Sequence, residues 1–150
     1  MHSFYLRSRY LRNELARGEL TLAGQRLALP DVGNDTYVVG AVNDHIVPWE
    51  ASYHAGRLLG GDVRCVLSSG GHIAGVVNPP GPKAQYQVMA DEHPPAPAEW
   101  RAAASAHEGS WWEDWTSGSA RRAGQQVSPP PRGSDQYPPL AEAPGSYVHE

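Results

Sequence analysis

The 150-residue chain lacks the features that define several protein classes at once. A single cysteine, Cys65, excludes an internal disulfide framework and a cysteine-rich zinc site. The 12 basic residues do not exceed the 16 acidic ones, which excludes a nucleic-acid binder that relies on a basic surface. No apolar run approaches the roughly 18 residues of a membrane helix, and the first residues predict no secretory signal. The length of 150 residues predicts a single domain, and the single free thiol favours the cytosol.

Proline is scarce in the first half of the chain and frequent in the second. Two of the 14 prolines, Pro30 and Pro48, precede residue 79. Because proline interrupts helices and strand ladders, we expect a compact first half and an extended second half. We place a domain at residues 1–116. A poorly ordered tail over 117–150 follows from its high content of Gly, Ser, Pro, Gln and Arg.

Hydrophobic spacing predicts a short series of elements before the compact centre. Residues 4–17 have helical spacing, and a glycine follows them. Residues 20–22 and 27–29 alternate as the two arms of a hairpin do. Residues 30–35 form a turn-rich connector.

The strongest pattern is a strand, a helix and a second strand. Residues 36–42 form a β-branched apolar run long enough for a buried strand, and residues 63–67 form a second one. Residues 49–59 between them have helical spacing. The predicted inner face of this helix consists of Ala51, Ala55, Leu58 and Leu59. The order predicts an α/β fold built on a parallel βαβ unit with a right-handed crossover.

Side chains with chemical capacity directly follow both predicted strands. Residues 43–48 hold Asp44 and His45, and residues 68–75 hold His72. Because parallel strands end at the same edge of a sheet, we expect Asp44 and His72 to face each other there. A carboxylate that accepts from one imidazole nitrogen fixes the tautomer and leaves the other nitrogen as a general base. The sequence therefore predicts a catalytic Asp–His pair.

The same pair also has a structural interpretation, because a carboxylate at a strand end commonly caps the next helix. His45 could support the pair or make only a structural hydrogen bond. The histidines have no metal-ligand spacing, so we expect no metal site. No G-x-S-x-G or G-x-C-x-G segment occurs, and Cys65 lies in an apolar strand as a core residue. A catalytic pair would therefore need a nucleophile outside this chain.

Several motifs occur in order along the chain. They are Asp-His-Ile-Val-Pro-Trp at 44–49, Ser-Gly-Gly-His-Ile-Ala-Gly at 69–75, Gly-Ser-Trp-Trp-Glu-Asp-Trp at 109–115, and similar segments at 5–15 and 143–148. Together they resemble the carboxyl-terminal part of class I poly(3-hydroxyalkanoate) synthases. The resemblance covers nearly the whole chain. It implies the carboxyl-terminal portion of an α/β-hydrolase fold with a proline- and tryptophan-rich, partly extended tail.

The resemblance also implies an activity. Synthases of this family are acyltransferases that polymerise (R)-3-hydroxyacyl-CoA and release coenzyme A, so the acyl-CoA is a substrate and no cofactor is needed. They act as homodimers on the surface of cytoplasmic polyester granules. A cysteine attacks the thioester, and a histidine and an aspartate complete the triad. His72 and Asp44 match these two residues, whereas the family's cysteine box has no counterpart in this sequence.

Three functions follow as alternatives. The first is part of a synthase that supplies the base and its carboxylate. The second is a non-catalytic remnant or accessory that binds the granule or a synthase through a tryptophan-rich surface. That surface would consist of Trp100, Trp111, Trp112 and Trp115. The third is a minimal hydrolase that uses Cys65. Because two parallel strands alone leave both sheet edges open, we expect the isolated chain to be marginally folded. Because the cysteine box is absent, we expect the chain alone to be inactive.

Overall fold

A mixed β-sheet forms the centre of the fold. The computed structural model describes residues 1–81, 83–89 and 93–149 of the chain. Within these residues the sheet has the strand order β3 (Thr36–Ala41), β4 (Val63–Ser68), β5 (Gln85–Val88) and β6 (Ser105–Glu108). The pair β3–β4 is parallel, and β5 and β6 are added antiparallel. A separate hairpin of β1 (Leu20–Leu22) and β2 (Gln25–Leu27) precedes the sheet.

The predicted βαβ unit is confirmed. Helix α2 (Trp49–Gly56) connects β3 to β4, and the strands pair in parallel from Thr36↔Val63 to Ala41↔Ser68. The expectation of a sheet with only two parallel strands is wrong, because β5 pairs along the outer edge of β4. In the described part of the chain, the edges that pair with no strand are the outer edges of β3 and β6. The central strand β4 is therefore covered on both sides, as its run of buried residues requires.

The amino-terminal elements differ in extent from the prediction. The chain begins with α1 (His2–Tyr5) and a π-helical segment (Leu6–Leu11), so the helix predicted over 4–17 ends early. Asn13 has a left-handed φ of 48°, a conformation that asparagine tolerates and that stops a right-handed helix. The hairpin is confirmed, with its second strand two residues earlier than predicted. Ala23 and Gly24 both have positive φ, as a two-residue type I′ turn requires.

The inner face of α2 was predicted wrongly. Its buried residues are Trp49, Tyr53 and Gly56, and the helix ends at Gly56 rather than at residue 59. The predicted face of Ala51, Ala55 and Leu58 is exposed, and Leu59 is half-buried. Aromatic rings remove more apolar surface from water than alanines do, so they occupy the sheet side. Gly56 lets the helix approach closely, since a Cβ there would lie 3.1 Å from Val38 Cγ2.

The aromatic residues of two helices form the main core on one face of the sheet. Helix α4 (Pro97–Ala103) places Trp100 against α2. The ring centroid of Trp100 lies 6.1 Å from that of Trp49 and 5.5 Å from that of Tyr53. Cys65 and Leu67 of β4 complete this cluster. A residue far from the βαβ unit in sequence therefore closes its core.

Helix α5 (Trp111–Ala123) covers the opposite face, which the alternate residues of β3 and β4 present. Asp114 of α5 accepts hydrogen bonds from Arg64 at 2.6 and 2.8 Å and from Tyr37 Oη at 2.8 Å. The helix continues across the predicted boundary at residue 116. From residue 124 to 149 nearly every residue is exposed, and Glu150 lies outside the described residues. The poorly ordered tail over 117–150 stays a prediction.

Candidate active site

Asp44 and His72 meet at the carboxyl ends of β3 and β4. Nδ1 of His72 lies 2.9 Å from Oδ2 and 3.0 Å from Oδ1 of Asp44. Because an ionised carboxylate only accepts hydrogen bonds, Nδ1 carries the proton and donates, which leaves Nε2 with a lone pair in the neutral ring. The Asp44 side chain is 7% exposed and that of His72 is 38% exposed. The carboxylate is thus covered, whereas the imidazole is open to a reactant.

The backbone of its own loop orients the Asp44 carboxylate. Oδ1 accepts hydrogen bonds from the N–H groups of Ile46 and Val47, each at 2.9 Å. The Val47 hydrogen bond is the largest cause that lowers the pKa of Asp44 to about 2, and the bonds from His72 and Ile46 add to it. The carboxylate is therefore ionised at neutral pH and its direction is fixed. Asp44 does not cap the following helix, which begins at Trp49 without a side-chain cap hydrogen bond, so that structural interpretation is wrong.

Glycines hold the His72 loop close to the sheet. A Cβ on Gly70 would lie 2.5 Å from the Gly75 nitrogen, and a Cβ on Gly75 would lie 2.5 Å from Cβ of Ala41. Any larger residue at either position must displace backbone. The short helix α3 (Ala74–Val77) begins two residues after His72, and the N–H of Gly75 donates to the Gly71 carbonyl at 2.8 Å. The position of His72 is therefore set by close backbone packing.

Asn43 joins the two loops and was missed in the sequence. Its backbone N–H donates to the Gly70 carbonyl at 3.1 Å, and its side-chain amide donates to the Ser69 carbonyl at 3.0 Å. These two bonds hold the Asp44 loop against the His72 loop at the end of the parallel strands. A polar amide beside Asp44 at a strand end was the available signal.

Known proteins match this chain over its length, although no family model matches it. The poly(3-hydroxyalkanoate) polymerase subunit PhaC of Cupriavidus necator is 42% identical over 149 residues, which is 98% of this chain. The polymerase of Methylorubrum extorquens is 42% identical over 98% of the chain, and PhaC of Rhizobium etli is 41% identical over 99%. The chain belongs to the poly(3-hydroxyalkanoate) polymerase family. It spans about a quarter of the length of these relatives, 25%, 24% and 23% respectively.

Other residues of this polymerase segment that the sequence singled out lie away from the Asp–His contact. His45 is exposed, and its ring makes no hydrogen bond with a residue that the structure describes, so its supporting role stays a prediction. Trp100 is 1% exposed and cannot belong to a surface. Trp112 and Trp115 remain 38% and 48% exposed. The surface proposed for the binding function is therefore smaller than predicted.

The described ranges hold no cluster of acidic, histidine or cysteine side chains that could bind a metal ion. Over the same residues, no helix has the length and apolar character that crossing a membrane requires.

Cys65 is a core residue, as predicted from its apolar surroundings. It is 3% exposed and packs with Trp49, Tyr53 and Trp100. Burial raises the pKa of its thiol to about 11, so little nucleophilic thiolate forms near neutral pH. These properties count against the hydrolase interpretation, which needs an accessible thiolate.

The burial of Cys65 gives a testable reactivity. At about pH 8 we expect the folded chain to react with a disulfide reagent at least roughly tenfold more slowly than the chain in urea, because a thiol must be exposed and ionised to attack. The measurement is the absorbance of the released aromatic thiol. Equal rates in the two states would show that Cys65 is accessible in the folded chain.

The lowered pKa of Asp44 gives a pH dependence of stability. The pKa of the Asp44 carboxyl is about 2 in the folded chain and ordinarily 3.8, so its full stabilising contribution is present at pH values above 3.8. This contribution is lost as the pH falls through the folded value. We therefore expect the free energy of unfolding to fall less steeply between about pH 5 and pH 2 in Asp44→Asn than in the unsubstituted chain.

Urea denaturation at several pH values measures this difference. Asp31→Asn is the matched control, because Asp31 is exposed and its side chain makes no hydrogen bond with a described residue. It should retain the acid dependence of the unsubstituted chain. The interpretation fails if Asp44→Asn and Asp31→Asn have the same slope.

Proposed function

We propose that this chain supplies the general base and its orienting carboxylate to a polymerase that joins (R)-3-hydroxyacyl units from coenzyme A thioesters. The observation that carries the proposal is the 2.9 Å contact between His72 Nδ1 and Asp44 Oδ2 at the carboxyl edge of β3 and β4. Sequence identity to proteins named poly(3-hydroxyalkanoate) polymerases supports the substrate class. The nucleophilic cysteine belongs to a part of the polymerase outside these 150 residues, since Cys65 is buried.

The geometry suits His72 to activate that cysteine. Nε2 of His72 takes the thiol proton, and the resulting thiolate attacks the thioester carbonyl carbon. As the tetrahedral intermediate collapses, the bond between the acyl carbon and the CoA sulfur breaks. The imidazolium returns its proton to that sulfur, so that free coenzyme A leaves and the acyl group remains on the cysteine.

Asp44 serves the same step without changing its protonation state. Its carboxylate accepts the Nδ1 proton of His72 and stabilises the imidazolium while the thiol proton is held. Because the pKa of Asp44 is about 2, the group stays negative throughout. In the next step His72 takes the proton of a 3-hydroxyl group, and the hydroxyl oxygen attacks the acyl carbon on the cysteine. The ester bond forms as the bond between that carbon and the cysteine sulfur breaks, and the imidazolium returns its proton to the sulfur.

The whole polymerase, by the same resemblance, would be a homodimer on cytoplasmic polyester granules. The alternative is a non-catalytic chain that binds granules through partly exposed Trp112 and Trp115. Mixing the isolated chain with polyester granules that carry no polymerase separates the two functions. The accessory function requires the chain to sediment with the granules. If the chain stays in the supernatant, this alternative is wrong.

A chimeric polymerase tests the main proposal. The segment of the Cupriavidus necator protein that this chain matches is replaced by residues 1–150, and coenzyme A release from (R)-3-hydroxybutyryl-CoA is measured. We expect the chimera to release coenzyme A and the isolated chain to release none. His54→Gln is the control variant, because His54 is exposed on α2 away from the site. A folded chimera that contains the relative's cysteine and releases no coenzyme A would contradict the proposal.

A further inference from the structure

The beginning of helix α5 contacts the short helix that follows His72. The indole N–H of Trp111 donates to the carbonyl of Gly75, within α3, at 3.1 Å. The Ser110 hydroxyl donates to the carbonyl of Asn78, the residue just after α3. The N-cap residue and the first residue of α5 thus bind two backbone carbonyls of the segment that follows His72.

This end of α5 is itself firmly held. The Ser110 side chain is fully buried, and its Oγ also accepts the N–H of Trp112 at 3.1 Å, which caps the helix. One turn further on, Asp114 accepts two hydrogen bonds from Arg64 and one from Tyr37. The sheet therefore fixes the position of the Ser110–Trp111 pair. Because the pair is fixed, its hydrogen bonds can hold α3 in place.

The position of α3 determines that of His72. The N–H of Gly75 donates to the Gly71 carbonyl at 2.8 Å, and that of Val77 donates to the Ile73 carbonyl at 2.9 Å. Gly71 and Ile73 are the neighbours of His72 on either side. Gly75 also packs against Ala41, where no space remains for a Cβ. A displacement of α3 would therefore be transmitted to the imidazole through its own backbone.

We propose that the Ser110–Trp111 pair positions His72 against Asp44. The effect of this positioning on catalysis rests on the proposed function. Neither residue touches the reacting atoms. The pair acts by holding the Gly75 and Asn78 carbonyls, which fixes the loop and keeps Nδ1 within hydrogen-bond distance of the carboxylate. An aromatic ring alone could fill the space beside Tyr37, whose ring centroid lies 6.1 Å away, but only indole offers the N–H that Gly75 accepts.

Imidazole nitrogen resonances test the proposal in the isolated chain. Trp111→Phe retains an aromatic ring and removes the donor. Trp115→Phe is the matched control on the same helix, since its indole makes no hydrogen bond with a described residue. His72→Gln assigns the His72 signal. We expect the population of the Nδ1–H tautomer of His72 to decrease in Trp111→Phe and to remain unchanged in Trp115→Phe.

Ser110→Ala is a second variant that removes the other contact, and it should decrease the same population. The proposal is overturned if both folded variants keep the tautomer population of the unsubstituted chain. It is also overturned if circular dichroism shows that both variants are unfolded, because the pair would then serve general stability. If only one of the two variants folds, the tautomer population of His72 in that variant decides: an unchanged population overturns the proposal.

Kinetics of the chimera separate this proposal from the proposed function. We expect Trp111→Phe to lower kcat by roughly 10–100-fold with KM nearly unchanged, as a small misplacement of a catalytic group does. If His72→Gln leaves activity intact while Trp111→Phe alters the tautomer, the catalytic function fails and the positioning stands. If His72→Gln abolishes activity and Trp111→Phe alters neither tautomer nor kcat, the positioning fails alone.

Discussion

In the chimeric polymerase, His72→Gln is expected to lower the rate of coenzyme A release by about 1000-fold or more, because loss of a triad base removes the activation of the nucleophile. Glutamine retains hydrogen-bonding capacity and similar length but cannot accept the thiol proton as imidazole does. The measurement is the rate at which a thiol reagent reports free coenzyme A.

Asp44→Asn tests the other half of the pair in the same assay. Asparagine presents an N–H₂ group as well as an oxygen, so it can favour the wrong imidazole tautomer and cannot stabilise an imidazolium by charge. We expect a loss of roughly 100- to 10,000-fold. His54→Gln should remain within about twofold of the unsubstituted chimera, as substitution of an exposed residue away from the site does. A His72→Gln chimera with more than about a tenth of the original rate would contradict the assignment of the base.

The largest effect on stability is expected for Trp100→Ala. Trp100 is 1% exposed and contacts the rings of Trp49 and Tyr53, so its removal leaves a large cavity between α2 and α4. Such a truncation costs about 3–5 kcal/mol of the free energy of unfolding. The total for a small domain is about 5–15 kcal/mol, so the variant loses a large share of its stability. Urea denaturation followed by tryptophan fluorescence and circular dichroism measures the loss.

Trp115→Ala is the matched control, because Trp115 is 48% exposed and should cost at most about 1 kcal/mol. Equal losses for the two variants would show that α4 is not part of the core.

The unsubstituted chain also tests the expectation of marginal folding. A sharp cooperative thermal transition would contradict that expectation, which rested on open strand edges that β5 partly covers.

The βαβ unit and its Asp–His contact were predictable because their signals are local. The strand runs at 36–42 and 63–67 are apolar and β-branched, and the helical spacing between them places a helix there, although it gave the wrong inner face. Once the two strands are parallel, geometry alone brings the loops after them to one edge. The contact between Asp44 and His72 follows from topology and needs no knowledge of side-chain packing.

The outer strands were not predictable in the same way. Residues 85–88 alternate in polarity but are only four long, and residues 105–108 are all exposed and have no apolar pattern. β5 becomes a strand because the edge of β4 offers unpaired backbone groups, and β6 then pairs with the outer edge of β5. Tertiary pairing therefore determines their structure, and a single sequence does not reveal it.

The same limit applies to the residues around the site. Asn43, Ser110 and Trp111 make their key contacts with backbone carbonyls, which every residue has, so the sequence does not mark the acceptors. Their sequence positions carry no spacing signal, because 36 residues separate Trp111 from Gly75. Likewise the inner face of α2 depends on which residues the sheet accepts, and Trp49 and Tyr53 fit against β4 better than alanines do.

The most direct test of the central claim is the alkylation rate of the nucleophilic cysteine in the chimera, followed by mass spectrometry of its peptide. If Nε2 of His72 takes the thiol proton, iodoacetamide at neutral pH should modify this cysteine markedly more slowly in His72→Gln than in His54→Gln. Equal alkylation rates in the two folded variants would show that His72 does not activate the cysteine, and would contradict the role assigned to the Asp44–His72 pair.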